Sequence, residues 1–143
     1  MWRVVLDPGV LIAAFISGKG APRALFRAWI DGAFELLVSP KLLAELARVL
    51  ARPKFRRYST TREARAFVAL LQRFATQCAD VMSPARMSPD PGDDYLLALA
   101  GSQFADYLVS GDAHLCQLEN TQPPVVNPRD FLDRLTEWTR TKR

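Results

Sequence analysis

Short apolar runs alternate along this chain with longer stretches in which apolar residues recur at every third or fourth position. Short apolar runs between turn signals are typical of buried strands, whereas the longer period is typical of helices. Strands are therefore predicted at residues 3–6, 34–38, 106–109 and 125–126. Helices are predicted at residues 10–16, 22–30, 40–50, 61–82 and 91–104, and from residue 128 onward.

Local start signals support two of these helices. Ser39 is followed by Pro40, and Asp90 is followed by Pro91, which is the order expected for a helix N-cap and its first position. Because strands alternate with helices, the expected fold class is α/β. The expected architecture is a three-layer α/β/α sandwich with a mainly parallel central sheet, formed by a single domain over residues 1–143.

Composition narrows the class of protein. The chain has 143 residues, of which 49% are hydrophobic and 24% charged, values typical of a globular domain. No apolar stretch approaches the ~20 residues of a membrane span. The first strand is too short and too soon interrupted by Asp7 to be a signal peptide, so a cytoplasmic location is expected. Two cysteines, Cys78 and Cys116, and a single histidine make a zinc site improbable.

The net charge is +4, with a pI of about 9.4, and the basic residues are unevenly placed. A basic cluster occupies the centre of the chain; its members are Arg48, Arg52, Lys54, Arg56, Arg57, Arg62 and Arg65. Such a cluster can attract phosphates, but taken alone it is better explained as a solvated helical surface.

Four acids are candidates for an active site. Asp7 and Asp112 follow the first and third predicted strands, and Asp94 lies in the first turn of the helix that begins within DPGDD. Glu45 flanks the apolar face of the helix over residues 40–50. Because sites in open α/β sheets form at the carboxyl ends of the strands, these side chains are expected at one edge of the sheet.

Each acid also has a purely structural explanation. Asp7 and Asp112 could cap the helices that follow them, Asp94 could be favoured by its helix dipole, and Glu45 could pair with Arg48. Taken together, however, four carboxylates at one edge would repel one another and resist ionisation. A bound divalent cation removes that difficulty, and oxygen-only ligands suit Mg²⁺ or Mn²⁺. The chemistry that such ions support includes phosphodiester hydrolysis.

The order of several motifs is similar to that of the PIN-domain family, and more closely to the VapC-type toxins of bacterial toxin–antitoxin pairs. The resemblance covers nearly the whole chain and rests on RVVLD, FELLVSPKLLAELARVLARPKF, DPGDDYLLALA, ADYLVSGDAHL and VVNPRDFLDRL. It implies a metal-dependent ribonuclease in which four acids hold Mg²⁺ or Mn²⁺ and activate water against RNA; these are Asp7, Glu45, Asp94 and Asp112. It also implies a homodimer inhibited by a small antitoxin protein.

Four neighbouring residues receive lesser roles. Asp90 and Asp93 are assigned to capping and to support of the metal ligands. Ser110 could contribute a hydroxyl to the site or simply form the turn that presents Asp112. His114 could contact substrate phosphate or bind metal weakly, or it could be an exposed helix residue.

One stretch departs from the family pattern. Where the family usually has Asp-Thr-Asn after the first strand, this chain has Asp7-Pro8-Gly9. The alternative hypothesis is therefore a catalytically weakened PIN-like module that binds an antitoxin or RNA. An aspartate-based phosphotransferase is disfavoured, because its common site needs an acid two residues after the first and that position is Gly9.

Overall fold

The computed structural model describes residues 1–86 and 90–142. Within these residues, five strands form one parallel sheet in the order β3-β2-β1-β4-β5. The strands are β1 (Arg3–Leu6), β2 (Glu35–Val38), β3 (Thr76–Gln77), β4 (Tyr107–Val109) and β5 (Val125–Val126). The α-helices are α1 (Pro8–Ile16), α2 (Ala21–Ile30), α3 (Pro40–Leu50), α4 (Thr61–Phe74), α5 (Asp94–Ser102), α6 (Ala113–Cys116) and α7 (Pro128–Thr141). Two 3₁₀ turns span Pro53–Arg57 and Pro91–Asp93. The predicted α/β/α sandwich is confirmed.

The centre of the sheet is the pairing of β1 with β2 on one side and β4 on the other. The chain first builds outward from β1 to β2 and β3, and then returns to add β4 and β5 on the opposite side. The connection after β1 therefore runs to one side of the sheet and the connection after β4 to the other, so the direction of winding reverses between these two strands. In parallel α/β sheets, this switch point leaves a crevice beyond the carboxyl ends of the strands, where ligands bind.

Short polar caps fix where the helices begin. The Ser39 hydroxyl accepts a hydrogen bond from the Leu42 N–H at 3.2 Å, with Pro40 in the first turn, as predicted. Thr60 and Glu63 form a reciprocal capping box at the start of α4, with distances of 2.8 and 3.0 Å. Each cap satisfies backbone donors that the helix itself leaves unpaired, and a cap of this kind contributes about 1 kcal/mol.

The helix predicted over residues 61–82 is too long. It ends at Phe74, because Ala75 adopts an extended backbone (φ −79°, ψ 161°). Thr76–Gln77 then pairs with β2 as a fifth strand, which the sequence did not predict, and the Cys78 N–H donates to the Val38 carbonyl at 2.8 Å. Similarly, α5 begins at Asp94 after a 3₁₀ turn and ends at Ser102, a shorter helix than the predicted 91–104.

The core lies between the sheet and the helices that pack on it. Its fully buried side chains are mainly leucines, including Leu11, Leu37, Leu46 and Leu71. Among the described residues, no single helix has the length and apolar character to cross a membrane. Taken together, α1 and α2 have that length and apolar character, but the two helices are bent by 93° relative to each other.

Candidate active site

The carboxyl end of β1 delivers Asp7, which is only 8% exposed. Its Oδ1 accepts a hydrogen bond from the Val10 N–H at 2.8 Å, so the residue caps α1 as well as ending β1. Burial raises the pKa of the Asp7 carboxyl above its ordinary value. Hydrogen bonds from the Ser110 hydroxyl and Val10 oppose that rise, while the charges of Asp112 and Glu45 add to it.

The end of β4 supplies the partner of Asp7. Ser110 is fully buried; its hydroxyl bonds to the Asp7 carboxyl and accepts the Asp112 N–H at 3.0 Å. Asp112 in turn caps α6, because its Oδ1 accepts from the His114 N–H at 2.8 Å. The Ser110 hydroxyl therefore links Asp7 to Asp112, the acids at the ends of the adjacent strands β1 and β4. This is one of the two roles that the sequence suggested for it. A hydroxyl beside Asp7 is thus present although Pro8 has none.

Helix α3 supplies Glu45, which is about one-third exposed (side chain 32%). The Tyr95 hydroxyl donates to its Oε2 at 2.5 Å, and an Arg48 guanidinium nitrogen lies 3.9 Å from Oε1. Burial, followed by the hydrogen bond and the charge of Glu45, raises the pKa of Tyr95, so that the phenol remains a donor at physiological pH. Glu45 is thus fixed to the first turn of α5 by a bond that the sequence did not predict.

At the start of α5 the two adjacent aspartates have different surroundings. Asp94 is 2% exposed, and its Oδ2 lies 3.5 Å from the Arg86 Nε. Asp93 is half-buried, and its pKa is raised to about 6, first by burial and then by the charges of four other acids. In decreasing order of effect these are Asp90, Asp112, Asp7 and Glu45. Asp93, assigned only a supporting role from sequence, therefore shares the electrostatic environment of the candidate ligands.

The remaining predicted residues lie at the margin. Asp90 is exposed; its Oδ1 accepts the Gly92 N–H at 2.9 Å and its carbonyl accepts the Asp93 N–H at 3.0 Å, which is the predicted capping role. The His114 side chain is exposed, as the structural alternative expected. In the basic cluster, Arg56 donates to the Leu50 carbonyl and so satisfies the end of α3.

The carboxylates fit a divalent cation by their chemistry, since hard oxygen donors suit Mg²⁺ or Mn²⁺. Their mutual effects on pKa, seen at Asp7 and Asp93, are the repulsion that such an ion would relieve. Across residues 1–86 and 90–142, however, no three acidic, histidine or cysteine side chains are grouped closely enough to hold an ion. One oxygen each of Asp7, Glu45 and Asp112 accepts a hydrogen bond within the chain.

Comparison with known families agrees with this arrangement. The PIN-domain family profile matches residues 3–114, which include β1, α3, α5 and β4 and all the acids described above. The chain therefore belongs to the PIN-domain family, whose members are generally nucleases.

Solved structures give the same fold. PAE2754 from Pyrobaculum aerophilum is similar with a TM-score of 0.64 and 19% identity, covering 95% of this chain and 96% of that one. VapBC2 from Rickettsia felis, solved bound to a DNA fragment from its promoter, is similar with a TM-score of 0.60 and 10% identity, covering 87% and 98%. A search of curated proteins finds no significant match.

Proposed function

We propose that this chain is a metal-dependent endoribonuclease that hydrolyses RNA phosphodiester bonds with Mg²⁺ or Mn²⁺. The observation that carries this proposal is the set of acids that act on one another at the switch point of the sheet. They come from the end of β1, the middle of α3, the start of α5 and the end of β4. Membership of the PIN-domain family supports the same activity.

The ligands that we propose are Asp7, Glu45, Asp94 and Asp112. Asp93 lies beside them, because its carboxyl responds to the charges of the other three acids, Asp7, Glu45 and Asp112. A divalent ion held by these residues would lower the pKa of a bound water and neutralise charge on a phosphoryl oxygen.

The chain's own residues orient these acids. The Ser110 hydroxyl and the Val10 N–H hold Asp7, and the Tyr95 hydroxyl holds Glu45. These bonds fix the rotamers in which the two carboxylates are held. Loss of such supporting bonds typically costs about 10–100-fold in metal affinity or activity.

We further propose that the protein is the toxin of a VapC-type toxin–antitoxin pair, acting in the cytoplasm as a homodimer and inhibited by a small antitoxin. The support is the sequence resemblance to such toxins, together with the fold shared with VapBC2. Co-expression with the protein encoded beside it should relieve growth arrest caused by this chain alone. Arrest that persists, or no arrest at all, would contradict the toxin assignment while leaving the nuclease assignment open to its own test.

Cleavage of a labelled, structured RNA pool tests the nuclease assignment. The wild-type protein should cleave with Mn²⁺ or Mg²⁺ and not with EDTA. Asp94→Asn should lose this cleavage, because it removes a proposed ligand, whereas Asp93→Asn should retain more of it. Asp133→Asn, an exposed change on α7 with the same loss of charge, is the matched control and should cleave like the wild type. Equal cleavage by the Asp94→Asn and wild-type proteins would overturn the assignment.

A second function is a PIN module that binds a partner or RNA but cleaves poorly. The observation that favours it is Pro8-Gly9 in place of Thr-Asn, which removes a hydroxyl and an amide beside Asp7. In that case the wild type would not cleave with either metal, although RNA or antitoxin would still bind. Metal-dependent cleavage by the wild type would exclude this alternative.

A further inference from the structure

A groove adjoins the candidate site on the side of α3. Its volume is about 380 Å³, and its lining residues are Lys41, Ala44, Glu45, Arg48, Gly92 and Tyr95. Glu45 belongs both to the proposed ligand set and to this groove, so the groove is continuous with the site. We propose that it binds a backbone phosphate of single-stranded RNA, next to the bond that is cleaved. This subsite rests on the proposed function and deepens it.

The sequence of α3 places one cation on each side of Glu45. Lys41 precedes it by four residues and Arg48 follows it by three, so all three side chains share one helical face. The two cations are separated by about 10 Å along the helix axis, at 1.5 Å per residue. A strand lying across Glu45 would therefore meet a positive group on either side of the acids.

Both cations are available to a ligand. Arg48 has 67% of its side chain exposed, and its contact with Glu45, at 3.9 Å, is an i,i+3 surface pair. Pairs of this kind contribute about 0–1 kcal/mol, so a phosphate can displace the contact. The Lys41 ammonium lies 4.7 Å from the centre of the Tyr95 ring, which holds it over the groove. Among residues 1–86 and 90–142 it has no ion-pair partner.

The alternation of charge favours a phosphodiester strand over an acidic peptide. Phosphates repeat at short, regular intervals along a nucleic-acid strand, so one phosphate can face a cation held by the acids while its neighbours face Lys41 and Arg48. An acidic peptide gains nothing from Glu45, whose carboxylate repels it.

The test is the salt dependence of RNA binding, measured by fluorescence anisotropy with a labelled single-stranded RNA 12-mer in EDTA. Each cation that contacts a phosphate contributes about 0.7 to the slope of log affinity against log salt for a single strand. Lys41→Ala and Arg48→Ala should each lower the slope by about 0.7, and the double variant by about 1.4. Arg140→Ala, which removes the same charge from the exposed end of α7, should leave the slope unchanged.

The inference is overturned if the double variant has the slope of the wild type, if Arg140→Ala lowers the slope equally, or if the wild type does not bind the RNA. It is also overturned if a glutamate-rich peptide binds in a Lys41- and Arg48-dependent manner and the RNA does not. The two proposals fail separately. Absence of cleavage together with the expected slopes rejects the nuclease and keeps the subsite. If the wild type cleaves RNA, and the double variant has an unchanged KM and an unchanged slope, the nuclease assignment stands and the subsite is rejected.

Discussion

Replacement of Asp93 by asparagine should stabilise the protein at neutral pH. In the absence of divalent ions, partial burial and four neighbouring acids raise the pKa of Asp93 from 3.8 to about 6. A carboxyl with a raised pKa contributes stability below pH 3.8 that is lost as the pH rises through 6. At pH 8 the charged side chain therefore opposes folding, and a neutral amide of the same shape removes that opposition.

The size of the effect follows from the pKa. The full difference between 3.8 and about 6 corresponds to about 3 kcal/mol, because one pH unit is worth about 1.4 kcal/mol. Asp93 is only half-buried, so solvent screening reduces this figure by about half. The positive end of α5 favours the carboxylate by about 0.3–1 kcal/mol, with the opposite sign. The expected net gain is about 1 kcal/mol, or about 3 °C in Tm for a chain of this length.

Urea denaturation in EDTA, at pH 8 and pH 4, measures this gain as a difference between variant and wild type. The gain should be present at pH 8 and close to zero at pH 4, where the wild-type carboxyl is largely protonated. Asp133→Asn should show no gain at either pH. Adding Mn²⁺ should stabilise both proteins, since both retain the proposed ligands and the ion binds only the folded state. A gain that does not change with pH, or a variant less stable at pH 8, would refute the electrostatic explanation.

Three other substitutions test the supports of the site and the fold. Ser110→Ala should lower the free energy of unfolding by about 1–3 kcal/mol, because buried hydrogen-bonding groups lose their partner. It should also raise the pKa of Asp7 further. A loss of stability below about 0.5 kcal/mol in urea denaturation would contradict the proposed link. Tyr95→Phe should weaken Mn²⁺ binding by about tenfold in calorimetric titration, because Glu45 loses the donor that orients it; unchanged affinity would show that the bond is only structural. Thr60→Ala should cost about 1 kcal/mol through loss of its capping box and leave cleavage unchanged, so a loss of activity would mean that α4 matters to the site.

The sequence predicted the parts of the fold that depend on local chemistry. Ser39 before Pro40 placed the start of α3, because a side-chain oxygen and a residue without an N–H meet the needs of a helix start. Helix α1 begins at Pro8, two residues before the predicted start, and Asp7 caps it as the structural alternative expected. The end of α4 could not be predicted in the same way. Helical spacing continues past Phe74 without a glycine or proline, and the two residues of β3 carry no apolar alternation of their own.

The site was predicted in outline but not in detail. Two adjacent aspartates at the start of a helix point about 100° apart, at 3.6 residues per turn, so their roles depend on the residue at which the helix begins. The 3₁₀ turn before α5 sets that residue, and the sequence alone does not reveal it. The bond from Tyr95 to Glu45 joins positions 50 residues apart and becomes visible only when α3 and α5 are placed together.

The capping bond at Asp7 has a consequence for genetics. An alanine at this position is the usual way to make an inactive nuclease, but here it would also remove the acceptor for the Val10 N–H. That loss costs about 1 kcal/mol of stability, so reduced abundance in cells would be mistaken for lost chemistry. Asparagine keeps an oxygen in the same place and removes only the charge. It is therefore the substitution that separates a protein unable to act from one that has failed to accumulate.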